Sequence, residues 1–61
     1  MEQTYDIFEK FPDGSAIWRG LATGLDCARG KLEELSRRSS NEFFLFHGPT
    51  RQIVARANAR E

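Results

Sequence analysis

Residues 41 to 48 read NEFFLFHG, and the way their apolar side chains divide between two faces decides what this chain can build. Three phenylalanines and a leucine in succession, stopped by Gly48 and Pro49, have the length and composition of a strand. Successive strand side chains point to opposite faces, so Phe44 and Phe46 share one face while Phe43 and Leu45 share the other. Both faces of this strand need a cover, and a chain of 61 residues has material for little more than one.

Downstream of the quoted run, GPTR leads into QIVARA, with Pro49 at the second position of a turn. A four-residue loop makes a hairpin that pairs Phe46 with Ile53, Leu45 with Val54, Phe44 with Ala55 and Phe43 with Arg56. Upstream, Leu25, Ala28, Leu32 and Leu35 recur at helical spacing and form a narrow apolar stripe. Thr23 with Asp26 resembles a capping box in which Asp replaces the usual Glu. Arg37 and Arg38 lie at the end of the helix where cations are favoured, and each follows a glutamate by four residues, Glu33 and Glu34. Gly30 is either a point of close packing or a merely tolerated interior glycine costing up to about 1 kcal/mol against alanine.

At the start of the chain, FPDGS at Phe11–Ser15 is a hairpin signal. Pro12 and Asp13 suit the centre of a type I turn, and Gly14 suits the positive φ that follows. Counting back from a three-residue loop pairs Glu9 with Ile17, Phe8 with Trp18, Ile7 with Arg19 and Tyr5 with Leu21. The sum is an α+β fold of ββαββ order over residues 1–61. Its simplest form is a four-stranded antiparallel sheet in the order 2-1-3-4 with one helix on one face.

A single helix covers a single face. The expected cover lies over Tyr5, Ile7, Phe11, Ile17 and Leu21, joined by Phe44, Phe46, Ile53 and Ala55 of the second hairpin. The opposite face then holds Phe8, Trp18, Phe43, Leu45 and Val54. Burying one such side chain contributes roughly 1.5–3 kcal/mol, and the core of so short a chain rarely supplies more than roughly 3–5 kcal/mol net. Leaving five of them in water therefore forgoes as much stability as the fold has. One cysteine, Cys27, rules out an internal disulfide, and with the one histidine, His47, it falls short of a four-ligand zinc site. Association remains as the means of support: the apolar face is expected to meet a second copy in a homodimer, or another protein.

Nine basic and nine acidic residues cancel, so no global field draws the chain to nucleic acid or to an anionic membrane. The start MEQTYD is polar and acidic, and no apolar run approaches membrane-spanning length, so a cytoplasmic location is expected. Cys27 falls in the first turn of the helix with no base beside it in sequence, and His47 stands at a strand end. No phosphate loop, ligand cluster or hydrolase motif is present. The expectation is a non-enzymatic domain with no cofactor and no small-molecule substrate. A weaker alternative is nucleic-acid binding through Trp18, Phe8 and Phe43 interleaved with Lys10, Arg19 and Arg56. Asp6, Glu9 and the zero net charge oppose it.

The turn at Asp13 and Gly14, Trp18 in the second strand, the LEEL segment at Leu32–Leu35 and the NEFF strand ending at His47 and Gly48 resemble the short bacterial proteins of hairpin-helix-hairpin (ββαββ) design, a domain of unknown function. The resemblance covers the whole chain and implies the fold and a bacterial origin, with no activity attached. A fainter likeness, carried by the DGS turn followed by strand and helix, is to small antitoxins with a partial RNase H-like domain. It implies an inhibitor of a larger protein, although the extra strand and DNA-binding tail of that family have no counterpart here.

Overall fold

The structure is a computed structural model and describes residues 3 to 58. Strands β1 (Thr4–Lys10) and β2 (Ala16–Thr23) form the first hairpin, helix α1 (Leu25–Arg38) follows, and β3 (Glu42–His47) with β4 (Gln52–Ala57) forms the second. All neighbours are antiparallel and the strand order is β2-β1-β3-β4, as the sequence predicts. The sheet is open, with α1 packed on one face.

The first turn closes as its residues dictate. The Gly14 amide donates to the Phe11 carbonyl at 2.9 Å, and the Phe11 amide donates to Ser15 O at 2.8 Å. Gly14 has φ 93°, a conformation glycine adopts without a Cβ clash. Asp13 accepts from both the amide and the hydroxyl of Ser15, at 2.9 and 2.7 Å, which holds its carboxyl below the ordinary value of 3.8. In the second turn the Arg51 amide donates to Gly48 O at 3.2 Å, with Pro49 at the expected second position.

Both hairpins carry a β-bulge, and the bulges redistribute the side chains. In β2 the pairing runs Glu9 to Ile17 and Phe8 to Trp18 as expected, then skips Arg19, so that Ile7 meets Gly20, Asp6 meets Leu21 and Tyr5 meets Ala22. Leu21, expected under the helix, is moved to the open face. In β4, Phe46 pairs with Ile53 as expected, Val54 is skipped, and Leu45 meets Ala55, Phe44 meets Arg56 and Phe43 meets Ala57. One extra residue reverses every later side chain, which is how a bulge changes a face assignment.

The pairing of β1 with β3 sets Ile7 against Leu45 and Glu9 against Phe43. Phe43 and Leu45 are therefore core residues beneath α1, only 2% and 0% exposed, together with Ile7, Ala28 and Leu32. This corrects the expectation that Phe43 and Leu45 lie on the open face; Phe44 and Phe46 lie there instead. The physical reason is visible at both edges of the sheet. The central strands put large side chains under the helix, whereas β2 and β4 contribute Gly20, Ala22, Ala55 and Ala57, small enough for a helix to settle over the middle.

Helix α1 begins without a side-chain cap. Its N-cap is Gly24 at φ 88°, rather than a Thr23–Asp26 capping box, and Thr23 remains in β2. The Gly24 amide donates to Gln3 O at 2.8 Å, and its carbonyl accepts from the Ala28 amide at 2.9 Å, so one glycine ties the helix start to the beginning of the sheet. At the other end, the amide nitrogen of Asn58 donates to the carbonyls of Ser36 and Ser39, both at 2.9 Å, and reaches Asn41 O at 3.3 Å. The carbonyls left over by the last helical turn thus find a donor from the end of β4. Arg38 pairs with Glu34 at 3.1 Å and Arg37 with Glu33 at 4.0 Å, the expected spacing on the solvent side. Gly30 has nothing near the position of a Cβ and is exposed, so it serves no close packing.

Candidate functional site

The cross-strand register writes the open face as a grid. One row, from β2 to β4, reads Trp18, Phe8, Phe44 and Arg56, and the next reads Leu21, Asp6, Phe46 and Ile53. A third row, nearer the first turn, holds Ala16, Lys10 and Glu42. Six large apolar side chains therefore occupy two adjacent rows on the side of the sheet away from α1.

Their geometry is that of an organised aromatic cluster. The rings of Phe8 and Phe44 stack with centroids 5.3 Å apart and planes 16° from parallel, and Phe46 meets Phe8 edge-on at 6.2 Å and 87°. Both arrangements are favoured by ring electrostatics. Trp18 Nε1 donates to Asp6 Oδ1 at 3.2 Å, which orients the indole while leaving the residue 54% exposed. Leu21 and Ile53 flank the cluster at 51% and 43% exposed. Arg56 Nε lies 3.9 Å from Glu42 Oε2, and a shallow groove of about 190 Å³ opens between Phe44, Ile53, Arg56, Glu42 and Lys10. An apolar surface of this extent, rimmed by single charges of both signs, has the composition of a protein contact site.

Of the residues expected to form the contact surface, Phe8 and Trp18 stand on this face. Phe43 and Leu45 are buried on the other, and Val54 is the exposed, unpaired residue of the β4 bulge. Leu21, Phe44, Phe46 and Ile53 replace them. The sequence alternation of Phe43 and Leu45 with Phe44 and Phe46 is the same for either phase, and the small pair Ala55 and Ala57 at strand period is compatible with the face a helix presses on without fixing it.

The other polar constellation lies on the helix side. Glu9 is 4% exposed, and its carboxylate accepts from Asn41 Nδ2 at 2.7 Å, Ser39 Oγ at 3.0 Å and Arg19 Nε at 2.8 Å. The Arg19 Nη2 atom lies 2.6 Å from the same oxygen. Hydrogen bonding from Asn41 leads in holding the Glu9 carboxyl below its ordinary 4.5; burial opposes this, and Arg19 and Ser39 reinforce it. Arg19, the residue skipped at the β2 bulge, lies on the same side of the sheet as Glu9, and this network secures the junction between β1, β2 and the end of α1. A carboxylate with every direction occupied is a structural group rather than a proton donor.

His47 is likewise satisfied, with Nδ1 2.7 Å from Thr50 Oγ1, Nε2 2.8 Å from Gln3 Oε1 and its ring 5.4 Å from that of Tyr5. Cys27 is exposed in the first turn of α1. Among the cations considered for nucleic acid, Arg19 belongs to Glu9, and Lys10 and Arg56 both neighbour Glu42. No helix among the described residues is long and apolar enough to cross a membrane.

Fold and face together define a small α+β domain with one helix-covered and one solvent-open, aromatic sheet surface. No protein-family model, curated protein or solved structure matches the chain.

Proposed function

We propose that this chain is a non-enzymatic interaction domain that associates with a second copy of itself through the helix-free sheet face. The observation that carries this reading is the two-row cluster of Phe8, Trp18, Leu21, Phe44, Phe46 and Ile53 on the face opposite α1. Aromatic side chains dominate contact energies, and Trp18 combines a large exposed ring with an orientation set by Asp6. A second copy is the occupant best matched to a chain whose own core is small and whose charges cancel, since face-to-face packing extends the core of each partner.

The sheet edges argue for the face as the point of contact. Both edge strands, β2 and β4, carry a bulge, at Arg19 and Val54, and bulges interrupt the ladder that an added strand needs. Lys10, Asp6, Glu42 and Arg56 within or beside the patch disfavour a lipid surface in the same way. Four strands span roughly 19 Å at the usual strand spacing, so the buried area falls at the low end of specific interfaces, on the order of 1,200 Å² in total. The association is accordingly concentration-dependent rather than obligate.

Sedimentation equilibrium over a wide concentration range tests the proposal. The expected result is a monomer–dimer equilibrium that Trp18→Arg weakens by at least about 30-fold while circular dichroism stays unchanged. A dimer indifferent to Trp18→Arg would reject this face, and a monomer at every concentration would reject self-association.

A further inference from the structure

We infer that the two copies pack about a two-fold axis parallel to the strands, midway between β1 and β3, with the indole of Trp18 seated in the partner's groove beside Phe44, Ile53 and Arg56. This rests on the preceding proposal and adds its geometry. A two-fold along the strands keeps each row of the grid and exchanges the columns, laying β2 over the partner's β4 and β1 over the partner's β3. Three of the four charges on the face then find a match, and Asp6, which falls on the partner's Phe46, keeps the hydrogen bond it accepts from Trp18 Nε1 of its own chain. Lys10 falls on the partner's Glu42, Glu42 on the partner's Lys10, and Trp18 on the partner's Arg56, where a guanidinium over an indole is attractive. Leu21 meets the partner's Ile53, and Phe8 meets the partner's Phe44.

The shapes agree with the charges. Trp18 is the most exposed large apolar residue of the face, and the groove of about 190 Å³, which runs from Gly14 and Ala16 past Lys10 and Glu42, reaches Phe44, Ile53 and Arg56 on the far strand pair. The axis brings the projecting indole over the Arg56 end of that groove, in each copy alike, as an isologous contact requires. The other two-fold, perpendicular to the strands, keeps columns and exchanges rows. It too leaves Asp6 on a phenylalanine, the partner's Phe8, but it sets Arg56 against the partner's Ile53 instead of an indole and loses the matches of Lys10 with the partner's Glu42, so it is the less complementary arrangement.

The test exchanges one charge per chain. Lys10→Glu places a carboxylate against the partner's Glu42, and Glu42→Lys places an ammonium against the partner's Lys10. Each variant alone is expected to self-associate at least ten-fold more weakly than the natural chain, whereas an equimolar mixture forms a one-to-one heterodimer of near-natural affinity, read by native mass spectrometry. The double variant Lys10→Glu/Glu42→Lys restores both the internal and the intermolecular pair, so it is expected to dimerise like the natural chain even where a single variant folds poorly. If the natural chain dimerises but neither the mixture nor the double variant does, the axis is wrong while the face reading survives. If the natural chain remains monomeric, the face reading itself fails and the axis with it.

Discussion

Adjacent phenylalanines on opposite faces provide a direct test of the fold. Phe43 is almost wholly buried against Ile7, Leu45, Ala28 and Leu32, whereas Phe44 is half-buried on the open face against Phe8. Replacing a buried phenylalanine with alanine costs about 3–5 kcal/mol, the lost transfer free energy plus the cavity left behind. A domain this small has roughly that much net stability, so Phe43→Ala is expected to be largely unfolded at 25 °C. Phe44→Ala removes a ring that already touches water and that stacks on one neighbour, a loss of about 1–2 kcal/mol in the monomer. The assay is urea unfolding followed by circular dichroism, at a protein concentration low enough for the monomer to dominate. With a slope near 1 kcal/mol per molar urea for a chain of this length, Phe44→Ala moves the midpoint by about 1–2 M, whereas Phe43→Ala leaves no folded baseline. Equal damage from the two substitutions, or a milder effect at Phe43, would refute the assignment of faces and with it the β1–β3 register.

Two further outcomes follow from the same structure. Gly30→Ala is expected to stabilise the chain by up to about 1 kcal/mol, because a Cβ there meets nothing and the residue lies in the interior of α1; an unchanged thermal midpoint would show that the helix is strained at that point. Glu9 and Asp13 both have carboxyls held below their ordinary values. Such groups contribute stability fully above the unfolded value, near 4.5 for Glu9, and lose it as pH falls through the folded value. Stability is therefore expected to decline on acidification from about pH 5 downward. Glu9→Gln should lower stability at pH 7 by roughly 1–3 kcal/mol, the worth of hydrogen bonds to a charged group, and flatten the acid decline to the part due to Asp13. An acid decline unaltered by Glu9→Gln in urea titrations at several pH values would remove the Glu9 network from the account of stability.

Local rules account for much of this molecule. The turn at Phe11–Ser15, the Phe8–Trp18 pairing, the helix with its Glu33–Arg37 and Glu34–Arg38 pairs, the GPTR turn and the strand order all follow from short-range chemistry and from the simplest antiparallel connection. The helix cap already escapes those rules. Gly24 takes the place of a side-chain cap because the chain must leave β2 and donate to Gln3 O in the same step, a demand made by the distant start of β1.

What the chain's own order of residues determined was the inventory: two hairpins, one amphipathic helix, and more large apolar side chains than one helix covers. Which of those side chains are left uncovered was decided only by tertiary structure. A strand repeats every two residues, so a single bulge inverts everything beyond it, and nothing local in IWRGL or IVARA marks Arg19 or Val54 as the residue to be skipped. Arg19, left out of the ladder, pairs with Glu9 across the first hairpin. Val54 leaves it so that Ala55 and Ala57 lie under α1 while Ile53 stays with Phe46. The second placement joins segments far apart in sequence, since Ala55 and Ala57 pack against the core beneath α1. The bulges set Leu21 on the open face and Ala55 and Ala57 under the helix, while the β1–β3 register puts Phe43 and Leu45 beneath α1 and leaves Phe44 and Phe46 on the open face.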